Sequence, residues 1–370
     1  MNIKKIFLIF LFVVFSISVF PDTGSNLIQN INYSKNILSF SARQTGMFFT
    51  LFTRDYREQL TFVNDTLEVE IPLEIEDIAG YRLRIINVDE KVNFNSFGAP
   101  GMTQGNFNNP AGIFVDYFGR IYVADKMNNR IQSFDALNNF RFEFGKFGWA
   151  NSITELRAQF NKPTDVKVNR FIYISDTENH RIAKFDIDGN FLSTWGGQGK
   201  NRAEFYFPRG LAIDLSGDVY VADTENDRIQ KFDGNGNFIM TFGNFGRGIK
   251  GFNKPHFIAV DLDYNMYISD TRNNRIQVYD RFTGFKKYMN FGRKFIDKPM
   301  GIHVDINLVS CVSSREKIVY VADRDEKYIK RITTPFIPEG VVIHENKIYV
   351  TSPRENKVYY LDFERFDYVF

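Results

Sequence analysis

Cysteine is almost absent. The single copy, Cys311, stands alone in 370 residues, so no intrachain disulfide can form and the fold must rest on packing. No partner residue is placed beside it, so Cys311 reads as a loop thiol and not as a nucleophile. An excess of charge is missing too. The formal net charge is +2, and loss of Lys4 and Lys5 with an N-terminal leader would leave none. Such a protein has no bulk field to draw nucleic acid or acidic membranes. The chain also has no nucleophile elbow, no phosphate-cradling glycine loop and no metalloprotease helix motif.

What is present begins with Lys4 and Lys5 followed by an apolar run from Ile6 to Phe20, the charged-then-apolar order of a secretory signal. The run is too short to cross a bilayer comfortably. Residues 1–20 are therefore expected to be a signal peptide, with an uncleaved N-terminal anchor as the alternative, because the small residues Ser16, Ser18, Thr23 and Ser25 make weak cleavage sites. The protein is expected to be exported: periplasmic, secreted or anchored, with membrane contact only if that segment is kept.

Repetition is the strongest pattern. One pentapeptide recurs from Ile121, Ile172, Val219, Met266, Val319 and Ile348 (IYVAD, IYISD, VYVAD, MYISD, VYVAD, IYVTS), in steps of 51, 47, 47, 53 and 29 residues. A proline-led strand stands upstream of each, opening at Pro110, Pro163, Pro208, Pro255, Pro299 and Pro338. Proline suits the first place in a strand, where its missing donor is not needed. Downstream come Arg130-Ile131, Arg181-Ile182, Arg228-Ile229 and Arg275-Ile276, then turns such as Asp188-Gly189-Asn190, then a strand closing on Phe144-Gly145, Trp195-Gly196, Phe242-Gly243 or Phe291-Gly292. Four short antiparallel strands per unit is the content of one propeller blade. Burial of both blade faces gives the 40 phenylalanines a place as blade-to-blade packing.

These units resemble the NHL repeat, which couples a Pro-x-Gly-Ile strand to an apolar-Tyr-Val-Ala-Asp strand and an Asn-x-Arg-Ile strand; Pro110–Asp135 and Pro208–Asp233 match closely. The resemblance spans about residues 84–362 and implies an all-β propeller, commonly of six blades. It implies no single activity. Residues 81–370 are assigned to the propeller, and 21–80 are left unassigned. The fifth unit is expected to lack its outer strand, because nine residues separate Ile329 from Pro338 where 32 separate Ile131 from Pro163. Arg84–Asp89 and Phe97-Gly98 align with Arg130–Asp135 and Phe144-Gly145, so this N-terminal piece is expected to close the ring by completing the last blade. If Leu60 to Ile71 adds two strands, it is instead a seventh blade.

In such a ring the loop entering the inner strand and the turn between strands two and three open on one face. The residues after the six prolines, Ala111, Thr164, Arg209, His256, Met300 and Glu339, are then expected to ring the channel mouth. Thr164, Arg209, His256, Met300 and Glu339 are the candidate ligand-binding residues, and no catalytic residue is assigned. Asp125, Asp176, Asp223 and Asp270 each precede an arginine by five residues. Their repetition reads as turn architecture held by charge-assisted hydrogen bonds, since one active site needs one constellation and not four.

Peptide-amidating lyases resemble this repeat and carry catalytic zinc on histidines directly after blade-leading prolines. Only His256 stands there in this chain, so that site is incomplete and neither metal nor cofactor is assigned. Asp261–Asn265 starts like a calcium loop, but Met266 and Arg272 break the pattern, which leaves a hairpin turn. Some cytoplasmic propellers of this repeat type bind RNA; an export signal and near-zero charge argue against nucleic acid, with Arg209, Lys254 and Lys200 as the one local basic grouping. The expected function is an extracytoplasmic binding or scaffold module that holds a protein, peptide or glycan on one propeller face. The alternative is an extracytoplasmic metal-assisted lyase or hydrolase near His256.

Overall fold

A computed structural model describes residues 92–149, 158–293, 295–326 and 328–363, together with the backbone of the strands between 28 and 88. The chain divides into two units, one of residues 1–85 with 364–370 and one of residues 86–363. The leader expected over residues 1–20 lies outside the described residues.

In the first unit, Ile28–Ser34, Ile37–Arg43 and Thr66–Pro72 form a three-stranded antiparallel sheet, and Met47–Phe52 pairs with Arg57–Thr61. The expected alternative of a seventh blade ends here, because Thr66–Pro72 is paired into this separate sheet.

The second unit is a six-bladed β-propeller. Blade one consists of Pro110–Val115, Ile121–Asp125, Arg130–Phe134 and Phe140–Phe144, taken from the channel outward. Blades two, three and four repeat this order from Pro163, Pro208 and Pro255. Each inner strand touches the next around the full ring, including the sixth against the first. The proline register is constant: Pro110, Pro163, Pro208 and Pro255 face Asp125, Asp176, Asp223 and Asp270.

Blade five corrects the sequence reading. Its strands are Pro299–Val304, Leu308–Ser313, Ile318–Asp323 and Tyr328–Thr333, so it is complete and its VYVAD segment is the third strand, not the second. The true second strand carries Cys311, which is fully buried and not in a loop. Burial pushes its thiol far above the ordinary range. Blade six takes Val341–His344, Lys347–Ser352 and Lys357–Asp362 from the end of the chain and Asn95–Phe97 as its outer strand. The N-terminal piece thus closes the ring through Phe97. The third place in that blade is filled by Lys357–Asp362, however, and not by the segment that begins at Arg84, which runs in a separate strand, Arg82–Val88. The ring is thus closed within blade six by strands from before and after the other five blades.

The core lies between blades. Tyr122, Ala124 and Ile131 of blade one pack on Val166, Ile174 and Phe185 of blade two, and equivalent clusters join blades two to three, three to four and six to one. Phe107, Phe160, Phe205 and Phe252, each just before an inner strand, are wholly buried. Each ring lies against the glycine of an aromatic-Gly pair. A Cβ on Gly243, which sits at φ 89°, would stand 2.3 Å from Phe252. Both the left-handed backbone and the close ring demand glycine there.

Candidate functional site

The mouth face is built from two repeated devices. In the first, the aspartate ending each second strand binds the arginine five residues on: Arg130, Arg181, Arg228 and Arg275 donate Nε–H to Asp125, Asp176, Asp223 and Asp270 at 2.7–2.8 Å. The other carboxylate oxygen accepts a backbone N–H from the loop entering the same blade, such as Tyr206 to Asp223 at 2.7 Å. The guanidinium groups then hold carbonyls of that loop; Arg228 takes those of Lys200, Asn201 and Glu204. Burial pushes the Asp125, Asp176 and Asp223 carboxyls up, while these donors pull them back. Every charge is answered from within the blade.

The second device ties blade to blade. The turns after the second strands open on Thr177, Thr224 and Thr271, whose hydroxyls donate to the carbonyls of Pro208, Pro255 and Pro299 in the next blade at 2.7–2.8 Å. The matching turn of blade one and these three turns end on Asn129, His180, Asp227 and Asn274 in left-handed conformation. These side chains accept the N–H of the residue before the next proline: Lys162, Phe207, Lys254 and Lys298. His180 is thereby placed as a structural acceptor through Nδ1, stacked on Tyr206, and burial lowers its pKa.

Inside these devices the six residues after the prolines form a ring of neighbours. Thr164 Oγ1 lies 3.5 Å from the Arg209 carbonyl, a Cβ on Gly210 would meet the His256 carbonyl at 2.6 Å, and Gly301 N–H donates to the Glu339 carbonyl at 2.7 Å. The structure separates the candidates into two groups. Ala111, Thr164 and Met300 are buried in the packing, and the Thr164 hydroxyl is engaged with Thr177. Arg209, His256 and Glu339 are partly exposed.

A fourth residue, not singled out in the sequence, joins them. Lys126 occupies the turn position that is threonine in blades two to four. Burial lowers its pKa, Glu339 opposes that fall, and Arg209 and Lys162 add to it. The signal was available as a break in the Asp-Thr register: Asp125 is followed by lysine where Asp176, Asp223 and Asp270 are followed by threonine. His256 is held well below its ordinary pKa by burial first and then by Arg209, Lys298, Lys126 and Lys254. Lys200, grouped with Arg209 in the sequence, lies in the loop clamped by Arg228 and is not among these cations.

Two polar atoms in this cluster have no partner: Arg209 Nε and His256 Nδ1 are buried and make no hydrogen bond. Leaving such a group unsatisfied costs about 1–3 kcal/mol. Among the described residues no three of His, Cys, Asp and Glu stand together as a metal site. Asp261 Oδ1 accepts the N–H of Asp263 and Asn265 and so closes its own hairpin turn.

A profile described as the NHL repeat matches residues 160–185 and 205–232, two of the blades described above. The chain is an NHL-repeat β-propeller. Over 125 residues this NHL propeller is 32% identical to Protein brain tumor of Drosophila melanogaster, covering 33% of this chain and 11% of that one. Over 136 residues it is 33% identical to a probable peptidyl-alpha-hydroxyglycine alpha-amidating lyase of Caenorhabditis elegans, covering 35% of this chain and 37% of that one. The match thus spans well under half the length of these curated relatives. Among solved structures, a protein of unknown function from Bacteroides thetaiotaomicron superposes with a TM-score of 0.58 at 12% identity, over 92% of this chain and 99% of that one. A streptogramin B lyase does so at 0.51 and 16% identity, over 74% and 88%. At these identities the likeness shows the fold alone. An NHL propeller is consistent with a protein-binding scaffold.

Proposed function

We propose that the chain is an exported binding module that holds a protein ligand, through a peptide or glycan-bearing segment, at the mouth of its propeller. The observation that carries this reading is the pair of buried, unpartnered polar atoms, Arg209 Nε and His256 Nδ1, on side chains that still reach solvent. On the same face the repeated aspartates and arginines of the turn clamps are satisfied within their own blade, whereas these two are groups that a ligand would complete. Export is supported by Lys4, Lys5 and the apolar run to Phe20. The near-zero net charge supports a protein over a nucleic acid ligand, whose binding draws on a positive field over many phosphates.

The test is site-specific photocrosslinking in the native envelope from a probe placed at Glu339, with an outer-rim probe at Leu192 as control. A partner captured from position 339 and not from 192 is the expected result. Capture from the rim alone refutes the mouth as the binding surface. Fractionation of the full chain and of a form lacking residues 2–20 tests export; full-length protein found soluble in the cytoplasm with Met1 retained refutes it.

A further inference from the structure

Cations outnumber carboxylates at the mouth. Lys126, Lys162, Arg209, Lys254, His256 and Lys298, contributed by blades one to five, act on one another there. Two are neutralised locally: Lys162 by Glu178 at 3.3 Å and Lys254 by Glu225 at 2.6 Å. Among the described residues, Lys126, Arg209 and Lys298 have no ion-pair partner. The fold does not require the charge of Lys126 or of Arg209. Ala111 fills the ring place of Arg209 in blade one, and threonine fills the turn place of Lys126 in blades two to four. At Lys126 the chain has moreover given up the hydroxyl that elsewhere ties neighbouring blades.

We propose that the mouth binds one oxyanion, a carboxylate of an acidic protein segment, seated between Lys126, Arg209 and His256. This rests on the mouth being the ligand-binding surface. The carboxylate accepts from the Arg209 guanidinium and the His256 imidazole, whose unpartnered Nε and Nδ1 turn toward it, and pairs with the Lys126 ammonium, which no salt bridge engages; each contact is a charge-assisted hydrogen bond or ion pair. Glu339, which faces Lys126, bounds the cationic arc. It opposes a continuous run of phosphates across the mouth, as in a nucleic acid, and leaves room for carboxylates on separate flexible side chains.

Titration calorimetry of the full chain at low ionic strength tests this with triglutamate and triglutamine, both acetylated and amidated so that only side chains differ in charge, and with inorganic phosphate and a single-stranded RNA decamer as probes. Triglutamate is expected to bind, triglutamine not to bind, and phosphate to compete with triglutamate. Arg209→Ala and Lys126→Thr, which copy residues found at the same places in sister blades, are each expected to weaken triglutamate by about tenfold or more, and Glu339→Gln to strengthen it by about threefold. Thermal melts check that each variant remains folded. No triglutamate binding, equal binding of triglutamine, no effect of either cationic substitution, or tighter binding of RNA would overturn the proposal. If photocrosslinking from position 339 survives both cationic substitutions, the oxyanion site fails while the mouth stands as the binding surface. If that crosslink is absent from the wild-type protein, the mouth reading itself fails.

Discussion

The turn clamps and the channel mouth lie on one face of one ring and are built from the same residue types, yet they differ in how their charges are answered. At the clamps Asp125, Asp176, Asp223 and Asp270 are completely buried, and each meets an arginine and a loop N–H. At the mouth Arg209 and His256 hold buried atoms with no partner. Chemistry repeated in four blades and satisfied in each one serves the ring. Chemistry that breaks the repeat and is left unsatisfied costs stability, and selection retains such groups where something else completes them.

The largest effect should come from breaking a clamp. Asp176→Ala leaves the Arg181 guanidinium, with a side chain 5% exposed, buried and uncompensated. A loss of about 3–5 kcal/mol is expected, read by denaturant unfolding. A loss below about 1 kcal/mol would show that the clamps are not architecture. The tie between blades is weaker. Thr224→Val removes the bond to the Pro255 carbonyl and leaves that acceptor buried, for an expected loss of about 1–2 kcal/mol.

Lys126→Thr sharpens the contrast by exchanging a residue peculiar to one blade for the one that its sisters share. A hydroxyl there regains the tie to the next blade and removes a half-buried ammonium, so stability is expected to rise by about 0.5–1 kcal/mol. Acidic-peptide binding falls in the same variant. A rise in stability with loss of binding is the signature of a functional residue. A fall in both would make Lys126 structural.

Most of the ring was legible because its punctuation is regular. Proline, the apolar-Tyr pentapeptide and Arg-Ile recur in fixed order, and they locate the strands of blades one to four. Blade five was misread because its third strand copies the pentapeptide while its true second strand, Leu308–Ser313, carries neither tyrosine nor a closing aspartate. Ser313 stands in that place, and its hydroxyl donates to the Asp297 carbonyl. The positions of the mouth residues were legible from the prolines, but their exposure was not. Thr164 and Met300 vanish into packing that only the juxtaposition of blades creates. Lys126 carries no motif of its own: it stands inside the Asp-to-Arg spacing and differs only from the threonine of the sister blades.

The smallest effect concerns pH, and it separates the two regions by their histidines. His180 belongs to the blade-to-blade ties and must be neutral to accept the Phe207 N–H, while His256 belongs to the mouth and is held neutral by burial and its cationic neighbours. Both have pKa values lowered below the ordinary 6.5. As the pH falls below 6.5 the unfolded chain takes up protons that the folded one refuses. The stability these groups contribute is therefore fully present above 6.5 and is lost as the pH drops through their lowered folded values. His180→Asn, which copies Asn129 and Asn274, keeps an acceptor for Phe207 and removes one titrating group, so it should flatten the acid loss without affecting ligand binding. A saturating acidic peptide at the mouth should raise the His256 pKa by supplying the missing counter-charge, visible as a move of its NMR titration midpoint to higher pH, while His180 titrates unchanged. Equal movement of both histidines would mean that clamp, tie and mouth respond as one unit, and the distinction between them would fall.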